Sequence, residues 1–386
     1  MTQRRAIIAI ASLSMTTFGI VLTSLAASLH TLIERFGIDK AQAGGLLSLL
    51  GFWILAGSIV FGPIVDRRGY RGMLQLSFAA IVAGLELIAF APTLFWLRTG
   101  IAVVGFSGGL VNGAANALVA DVSGEQRGSA LNFVGAFFGV GAVGTPFMIS
   151  SLSGAFPMRT ILAAIPAFVI LPFALTAVTR FPPAKQPEGL SVAEARRLLR
   201  DPVLLLMGLI LFLESGMESA IGGFTALFFA EELRVAASRA PMYLALFWLG
   251  LLLTRLTLGL MTRVQAGTRL LFASIAVSIV SALVVLSTDN VVVAAAAVFC
   301  LGAGFAPMFP AMYGFVGDRY AHRSGTAIGV VIAMSLVGGM LLPWVTGVLG
   351  DAYSLRASLA LVPVSLVLLA ILLGVLARQR GASAAL

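Results

Sequence analysis

Charge is scarce in this chain. Only 11% of its 386 residues are Asp, Glu, Lys or Arg, less than half of the roughly 25% usual in soluble globular domains. So few charges cannot cover a water-facing surface, and a soluble globular fold is excluded. Cysteine is almost absent. Cys300 is the single thiol and sits inside an apolar run, which removes both a disulfide framework and a thiolate metal site. The two histidines, His30 and His322, fall in predicted loops on opposite sides, so neither a metal site nor a histidine proton relay is expected. No G-x-x-x-x-G-K-[ST] run is present to cradle a nucleotide phosphate, which excludes direct drive by ATP. No nucleophile–base pair stands out, and the glycines are spread along apolar segments as packing residues. An enzyme is not expected, nor a cofactor, except that H+ or Na+ can serve as a coupling ion.

What the chain does have is apolar length. Hydrophobic residues make up 59% of it, gathered into about a dozen runs near the ~20 residues that cross a bilayer as a helix. The spacing predicts spans near 6–29, 41–64, 73–91, 95–120, 128–151, 158–180, 202–230, 240–261, 268–288, 291–316, 325–349 and 356–377. The first run is too long for a signal-peptide core and lacks a small-residue cleavage site, so it reads as a retained span. Twelve spans place both termini on one side. That side holds 17 of the 25 Lys and Arg residues, from Arg4 to Arg380, and the other holds 6, with Arg98 and Arg255 left to the spans. The positive-inside rule makes the richer side cytoplasmic. The net charge of +9 is therefore distributed as short clusters between apolar runs, which argues for lipid headgroups and against nucleic acid. The expected fold is all-α and integral to the cell (inner) membrane.

The longest polar connection, 181–201, divides the chain into six-helix bundles at 1–180 and 202–386. Within it, Ser191 followed three residues later by Glu194 is a capping-box pattern, and Val192, Ala195, Leu198 and Leu199 form an apolar stripe. A short amphipathic helix on the cytoplasmic face is expected there. The halves also repeat. Asp121 is followed six residues later by Arg127-Gly-Ser-Ala and nineteen after that by Pro146. Asp318 is followed five residues later by Arg323-Ser-Gly-Thr-Ala and twenty after that by Pro343. Gly/Pro-interrupted helices at matching places in two halves point to a transporter's central site.

One connection concentrates the charge: Gly62-Pro-Ile-Val-Asp66-Arg67-Arg68-Gly69-Tyr70-Arg71-Gly72. It matches the loop signature G-x-x-x-D-R-x-G, and with twelve spans, the 6+6 repeat and the central linker the chain resembles the major facilitator superfamily. The resemblance implies two pseudo-symmetric bundles that work by alternating access. It also implies a cytoplasmic latch in which Asp66 pairs with helix ends, supported by Gly62, Arg67, Gly69 and Arg71. Asp121, Arg127, Asp318 and Arg323 join that gate through the repeat. The second-half counterpart, Gly259 to Gly267, keeps Arg263 but has no Asp. Three stretches resemble the fucose/galactose/glucose symporter-like branch: Gly105 to Ala117 in span 4, Glu214 to Phe224 in span 7 and Gly302 to Pro310 in span 10. The chain departs from that branch at Asn112, where the branch has a carboxylate, and in span 1, which has no acidic residue.

Ionisable groups within a span are costly and mark functional paths. Glu86, Glu214 and Glu218 are the candidates. Glu86 lies on a span that is peripheral in the family and reads as structural. Glu214 and Glu218 are four residues apart, so they share a helix face. Glu214 falls roughly 18 Å into span 7 at ~1.5 Å per residue, near the midplane. Two carboxylates so close in a dry site cannot both ionise cheaply, and the pair is expected to hold a proton or cation; the alternative is that one of them pairs with a helix-end arginine such as Arg255. Asn112 and Asn116 also share a face, and amides either join helices or bond sugar hydroxyls. Phe224, Trp248 and Tyr313 offer flat faces for a sugar ring, or simple packing. The expected substrate site is therefore Asn112, Asn116, Glu218, Phe224, Trp248 and Tyr313, with Glu214 and Glu218 as the cation-coupling pair. The expected function is cation-coupled movement of a small polar solute, a sugar, by a monomer in the bilayer. The alternative is proton-coupled export of drugs or amphipathic metabolites, for which Gly139 to Pro146 is a partial signature.

Overall fold

In hydrocarbon every backbone N–H and C=O must be bonded within the protein, and for a single segment only the helix achieves this. The computed structural model obeys that rule throughout residues 3–123, 127–182, 197–260, 267–320 and 324–384, which it describes. Twelve helices there are long and apolar enough to cross a membrane: α1 Gln3–Phe36, α2 Lys40–Val65, α3 Arg67–Phe90, α4 Leu94–Ser123, α5 Phe133–Leu152, α6 Met158–Val178, α7 Pro202–Glu231, α8 Ala240–Gly259, α9 Thr268–Ser287, α10 Val291–Arg319, α11 Ala327–Ala352 and α12 Leu355–Gln379. The chain is a multi-pass integral membrane protein.

Helix ends follow local chemistry. The first span runs to Phe36, seven residues past its expected end, because Leu32 and Ile33 continue the apolar pattern. It stops at Gly37, whose φ of 60° is the left-handed conformation a glycine adopts cheaply. The Ile38 N–H then donates to the Ile33 carbonyl at 3.3 Å, the bond of a Schellman cap. His30 therefore lies in helix and not in a loop, with Nδ1 3.6 Å from Glu34 Oε2. Asp39 caps α2 by accepting from the Gln42 N–H at 2.6 Å. Near the start of α3 the chain turns at Gly69, φ 66° and ψ 168°.

The interruptions fall elsewhere than expected. Both α5 and α11 run unbroken through Pro146 and Pro343. A proline in a membrane helix removes a single bond, and packed neighbours can tolerate that loss. The breaks occur instead at Ile165–Pro166 in α6, Ala306–Pro307 in α10 and Ala360 in α12.

Two compact units emerge, Met1–Pro187 with Thr225–Ala245, and Glu188–Phe224 with Leu246–Leu386. The expected linker helix lies outside the described residues except at its end. Each unit is locked by glycines at the same two crossings. In the first, a side chain at Gly19 would strike the Phe138 carbonyl and one at Gly141 the Thr16 carbonyl, joining α1 to α5; Gly57 and Gly109 do the same for α2 and α4. In the second, Gly216 and Gly338 join α7 to α11, and Gly250 and Gly302 join α8 to α10. First with fifth and second with fourth recur in both, so the repeat is one of packing as well as sequence. Arginines close helix C-termini, where cations are favoured. Arg35 donates to the Ala89 and Ala91 carbonyls at 2.9 and 2.6 Å beyond α3. Arg356 donates to the Leu286 carbonyl at the end of α9 at 3.1 Å and pairs with Asp289 at 2.7 Å.

Candidate functional site

The crossing of α7 with α11 at Gly216 fixes the carboxylates one half-turn to either side of it. A side chain at Gly216 would meet the Gly338 carbonyl and Leu342 at under 3 Å, so α7 has no room to rotate or slide there. Glu214 is consequently held inside the second unit, 1% exposed, and neither carboxylate oxygen has a hydrogen-bond partner. Glu218, one turn on, is partly exposed. Both feel the charge of Arg255 on α8. Arg255 is itself tied down, its Nε donating at 3.2 Å to the carbonyl of Ala306, where α10 breaks. Tyr313, on the far side of that break, feels both Glu214 and Arg255. The structure thus brings four groups from three helices into one electrostatic cluster. The sequence pattern singles out three of them and offers Arg255 as a pairing partner for one glutamate; no ion pair between them is found among the described residues.

Aromatic rings line the same unit. Trp248 lies against Gly222, 3.2 Å from where a Cβ would stand, edge-on to Phe247 with ring centres 5.2 Å apart. Tyr313 meets Phe309 at 4.6 Å. Phe224 and Trp248, expected as sugar-stacking faces, are 0% and 2% exposed, so protein already covers them.

In the first unit the Asn116 amide donates to both oxygens of Asn112, at 2.9 Å to the carbonyl and 3.2 Å to Oδ1. Asn116 is exposed and Asn112 partly so. The 62–72 stretch is anchored by residues beyond the signature. The Tyr70 hydroxyl donates to Asp121 Oδ2 at 3.1 Å, and the Tyr70 ring stacks near Phe181 at 6.4 Å. Arg71 closes the C-terminus of α6, donating to the Thr176, Ala177 and Thr179 carbonyls at 3.2, 2.7 and 3.0 Å.

These features have a family, since the Major Facilitator Superfamily model matches residues 7–321 and 207–385. The chain belongs to that superfamily. It is a transporter and not an enzyme. The chain is similar to the sodium-dependent glucose transporter 1A of Mus musculus, 23% identical over 78% of this chain and 79% of that one. It is also similar to a putative glucose/galactose transporter of Helicobacter pylori, 25% identical over 78% and 77%. A multi-drug resistance efflux pump, PmrA of Streptococcus pneumoniae, is 25% identical over 49% and 50%. Among solved structures, the nucleoside transporter NupG superposes with a TM-score of 0.77 at 16% identity, covering 97% of this chain and 99% of that one.

Within this major facilitator chain the other residues expected in the gate are spread. Arg67 and Asp318 are exposed and Gly62 is partly so. The side chains of Asp66 and Arg127, and Arg323 as a whole, lie outside the described residues. A further residue escaped the sequence reading. Asp201 caps α7, its Oδ1 accepting from the N–H groups of Val203 and Leu204 at 2.9 and 3.3 Å. Its signal is an Asp directly before Pro202, the N-cap followed by proline at the first helical position. Burial opposes the Asp201 charge, but the Tyr320 hydroxyl, the two N–H groups and Arg319 outweigh it and hold the carboxyl below its ordinary value. Tyr320 moves the other way, pushed up to about 12 by burial and by Asp201.

Proposed function

We propose that the protein is a secondary transporter that takes up a sugar by alternating access, coupled to H+ or Na+ through Glu214 and Glu218. The observation that carries the reading is Glu214: a carboxylate with both oxygens buried and unpartnered, next to a second carboxylate and an arginine. A structural ion pair would satisfy those oxygens. A group that exchanges an ion during a transport cycle must leave them accessible to that ion in one state and sealed in another. The named glucose and glucose/galactose relatives support a sugar as cargo. Asn112 and Asn116 supply amide donors and acceptors suited to sugar hydroxyls, and Glu218 and Tyr313 complete the residues proposed to meet the substrate, with the covered rings of Phe224 and Trp248 packed behind them. The cation distribution supports termini on the cytoplasmic side of the cell membrane, with the protein acting as a monomer. Asp66, Asp121, Arg127, Asp318 and Arg323 are proposed to set the balance between inward and outward states.

The test begins with ligand discovery. Purified protein is screened for thermal stabilisation by sugars, nucleosides and amphiphiles at two pH values, with and without Na+, since a ligand of the native state raises the melting temperature by mass action. A sugar that stabilises the wild type supports the reading; stabilisation by amphiphiles alone contradicts it. The efflux-pump relative favours a second reading, export. Cells overexpressing the protein then show resistance across a panel of toxic amphiphiles, whereas uptake gives sugar-dependent growth with no gain in resistance.

A further inference from the structure

Two glycines stand side by side on α11 and meet different parts of α7. A Cβ at Gly338 would strike the Phe212 carbonyl, so that glycine is required by the approach of two backbones. A Cβ at Gly339 would meet the Ser219 Oγ at 3.0 Å and the Ser215 Oγ at 3.1 Å, and the nearest backbone atom of α7, the Ser215 carbonyl oxygen, only at 3.7 Å. The approach of the helices therefore does not call for a glycine at 339, although a glycine inside a helix lowers its stability. We propose that Gly339 keeps open a notch beside the Ser215 and Ser219 hydroxyls, and that this notch receives a hydroxyl group of the cargo.

The state of the two serines carries the argument. A helical hydroxyl can satisfy itself on the carbonyl one turn back, as Thr23, Ser24 and Ser28 do on α1 at 2.8, 2.6 and 2.8 Å. Ser215 and Ser219 make no hydrogen bond among the described residues, and both are partly exposed. Each hydroxyl therefore keeps its donor and its acceptor lone pairs. Because the two oxygens flank one position, an O–H group entering between them accepts from one and donates to the other. An apolar ligand can do neither. Glu218, Ser215 and Ser219 follow Glu214 at ~40°, ~100° and ~140° round the helix, at 3.6 residues per turn. One strip of α7 thus holds the two serine hydroxyls beside Glu214, whose oxygens are buried and without a partner. Polar groups left unanswered in a protein interior are costly, and a hydroxyl-rich solute supplies what they lack. A single methyl group at 339 would close the notch, which makes Gly339 a determinant of specificity although it contributes no side chain.

The sugar as occupant rests on the uptake reading, whereas the opening of the notch does not, and the experiment separates them. Full-length protein in lipid nanodiscs carries Cys300→Ser, so that its only thiol is the one introduced by Ser215→Cys or Ser219→Cys. A trimethylammonium methanethiosulfonate reagent, which stays in water, is expected to label both positions, and added Gly339→Ala should slow that labelling several-fold. D-glucose or D-galactose, whichever stabilises the wild type more against heat, should protect both thiols. In thermal titrations with the same sugar, Gly339→Ala and the double change Ser215→Ala with Ser219→Ala should each weaken its apparent affinity about tenfold, the scale of a lost hydrogen bond or two, with melting in the absence of sugar close to that of the wild type. Absence of labelling, or labelling indifferent to Gly339→Ala, overturns the notch. Thiols that the stabilising sugar leaves unprotected, or unchanged affinity in the serine double variant, overturn the cargo contact. If neither sugar stabilises the wild type, the uptake reading and the occupant fall together, while labelling still decides the notch. If Gly339→Ala does not fold, the serine double variant and the protection of the two thiols decide the contact.

Discussion

Most side-chain hydrogen bonds among the described residues go to backbone groups, and a few join two side chains. Tyr70 is the clearest case, because its hydroxyl is the described donor to Asp121 and its ring braces Phe181. Tyr70→Phe keeps the ring and removes the donor. A hydrogen bond to a charged group contributes about 1.5–3 kcal/mol, so a lower melting temperature is expected, with Tyr70→Ala lower still; equal melting of the wild type and Tyr70→Phe would show the bond to be idle. Asp201 gives a second prediction. Asp201→Ala deletes the cap of α7 and should cost about 1 kcal/mol, the usual worth of such a cap, whereas Asp201→Asn should retain most of it. Because the folded carboxyl is held below its ordinary value, its contribution is present above the unfolded pKa and fades as pH falls through the folded one. The difference between wild type and Asp201→Ala should therefore shrink on acidification below about pH 4, the ordinary range for Asp. A difference that grows in acid would reverse the assigned sign. Neither residue is loud in the sequence: Tyr70 sits just after a signature noted for its charges, and Asp201 closes a linker noted for its prolines.

At the scale of elements, the glycine crossings decide where the helices can meet. Gly216→Val places methyl groups on Leu342 and the Gly338 carbonyl, and overpacking of this kind costs about 1–3 kcal/mol. Loss of folded, monodisperse protein on size-exclusion chromatography is expected, while the same change at Gly144, where the space is open, should be tolerated. Comparable losses at both positions would mean that the crossings are not specific. The helices themselves were legible, because ~20 apolar residues in lipid have one solution. Their breaks were not. Proline marked candidate interruptions at Pro146 and Pro343, but the actual breaks at Pro166 and Pro307 depend on neighbouring helices that no single-segment pattern encodes. Likewise Glu214 and Glu218 announce themselves as rare charges on one face, with Arg255 as a candidate partner, whereas the Arg255 bond to the Ala306 carbonyl exists only when α8 and α10 are packed together. Gly37 shows the opposite lesson: its cap was in the sequence, yet the polar residues from His30 to Arg35 suggested an earlier loop.

For the whole molecule, the first unit gathers the ends of α7 and α8 that lie away from the 62–72 connection. Two contacts tie them down, the Lys40–Glu231 ion pair at 3.1 Å and the Ser150 hydroxyl donating to the Arg239 carbonyl at 3.4 Å. The ion pair is part-exposed, so it contributes no more than about 1 kcal/mol, enough to shift a balance of conformers several-fold without unfolding either. Lys40→Glu should repel Glu231 and favour opening of that side, read as faster labelling of a cysteine placed beside the pair. The added Glu231→Lys should restore slow labelling, and a double variant as fast as the single one would show that the pair is no latch. The central claim, that Glu214 couples an ion to the movement of a sugar, is tested most directly in proteoliposomes. Purified protein is reconstituted and given radiolabelled sugar with an imposed inward proton or sodium gradient, followed by exchange of the same sugar at equilibrium. The account predicts accumulation above equilibrium in the wild type, and in Glu214→Gln no accumulation although exchange persists. Undiminished accumulation by Glu214→Gln would contradict it.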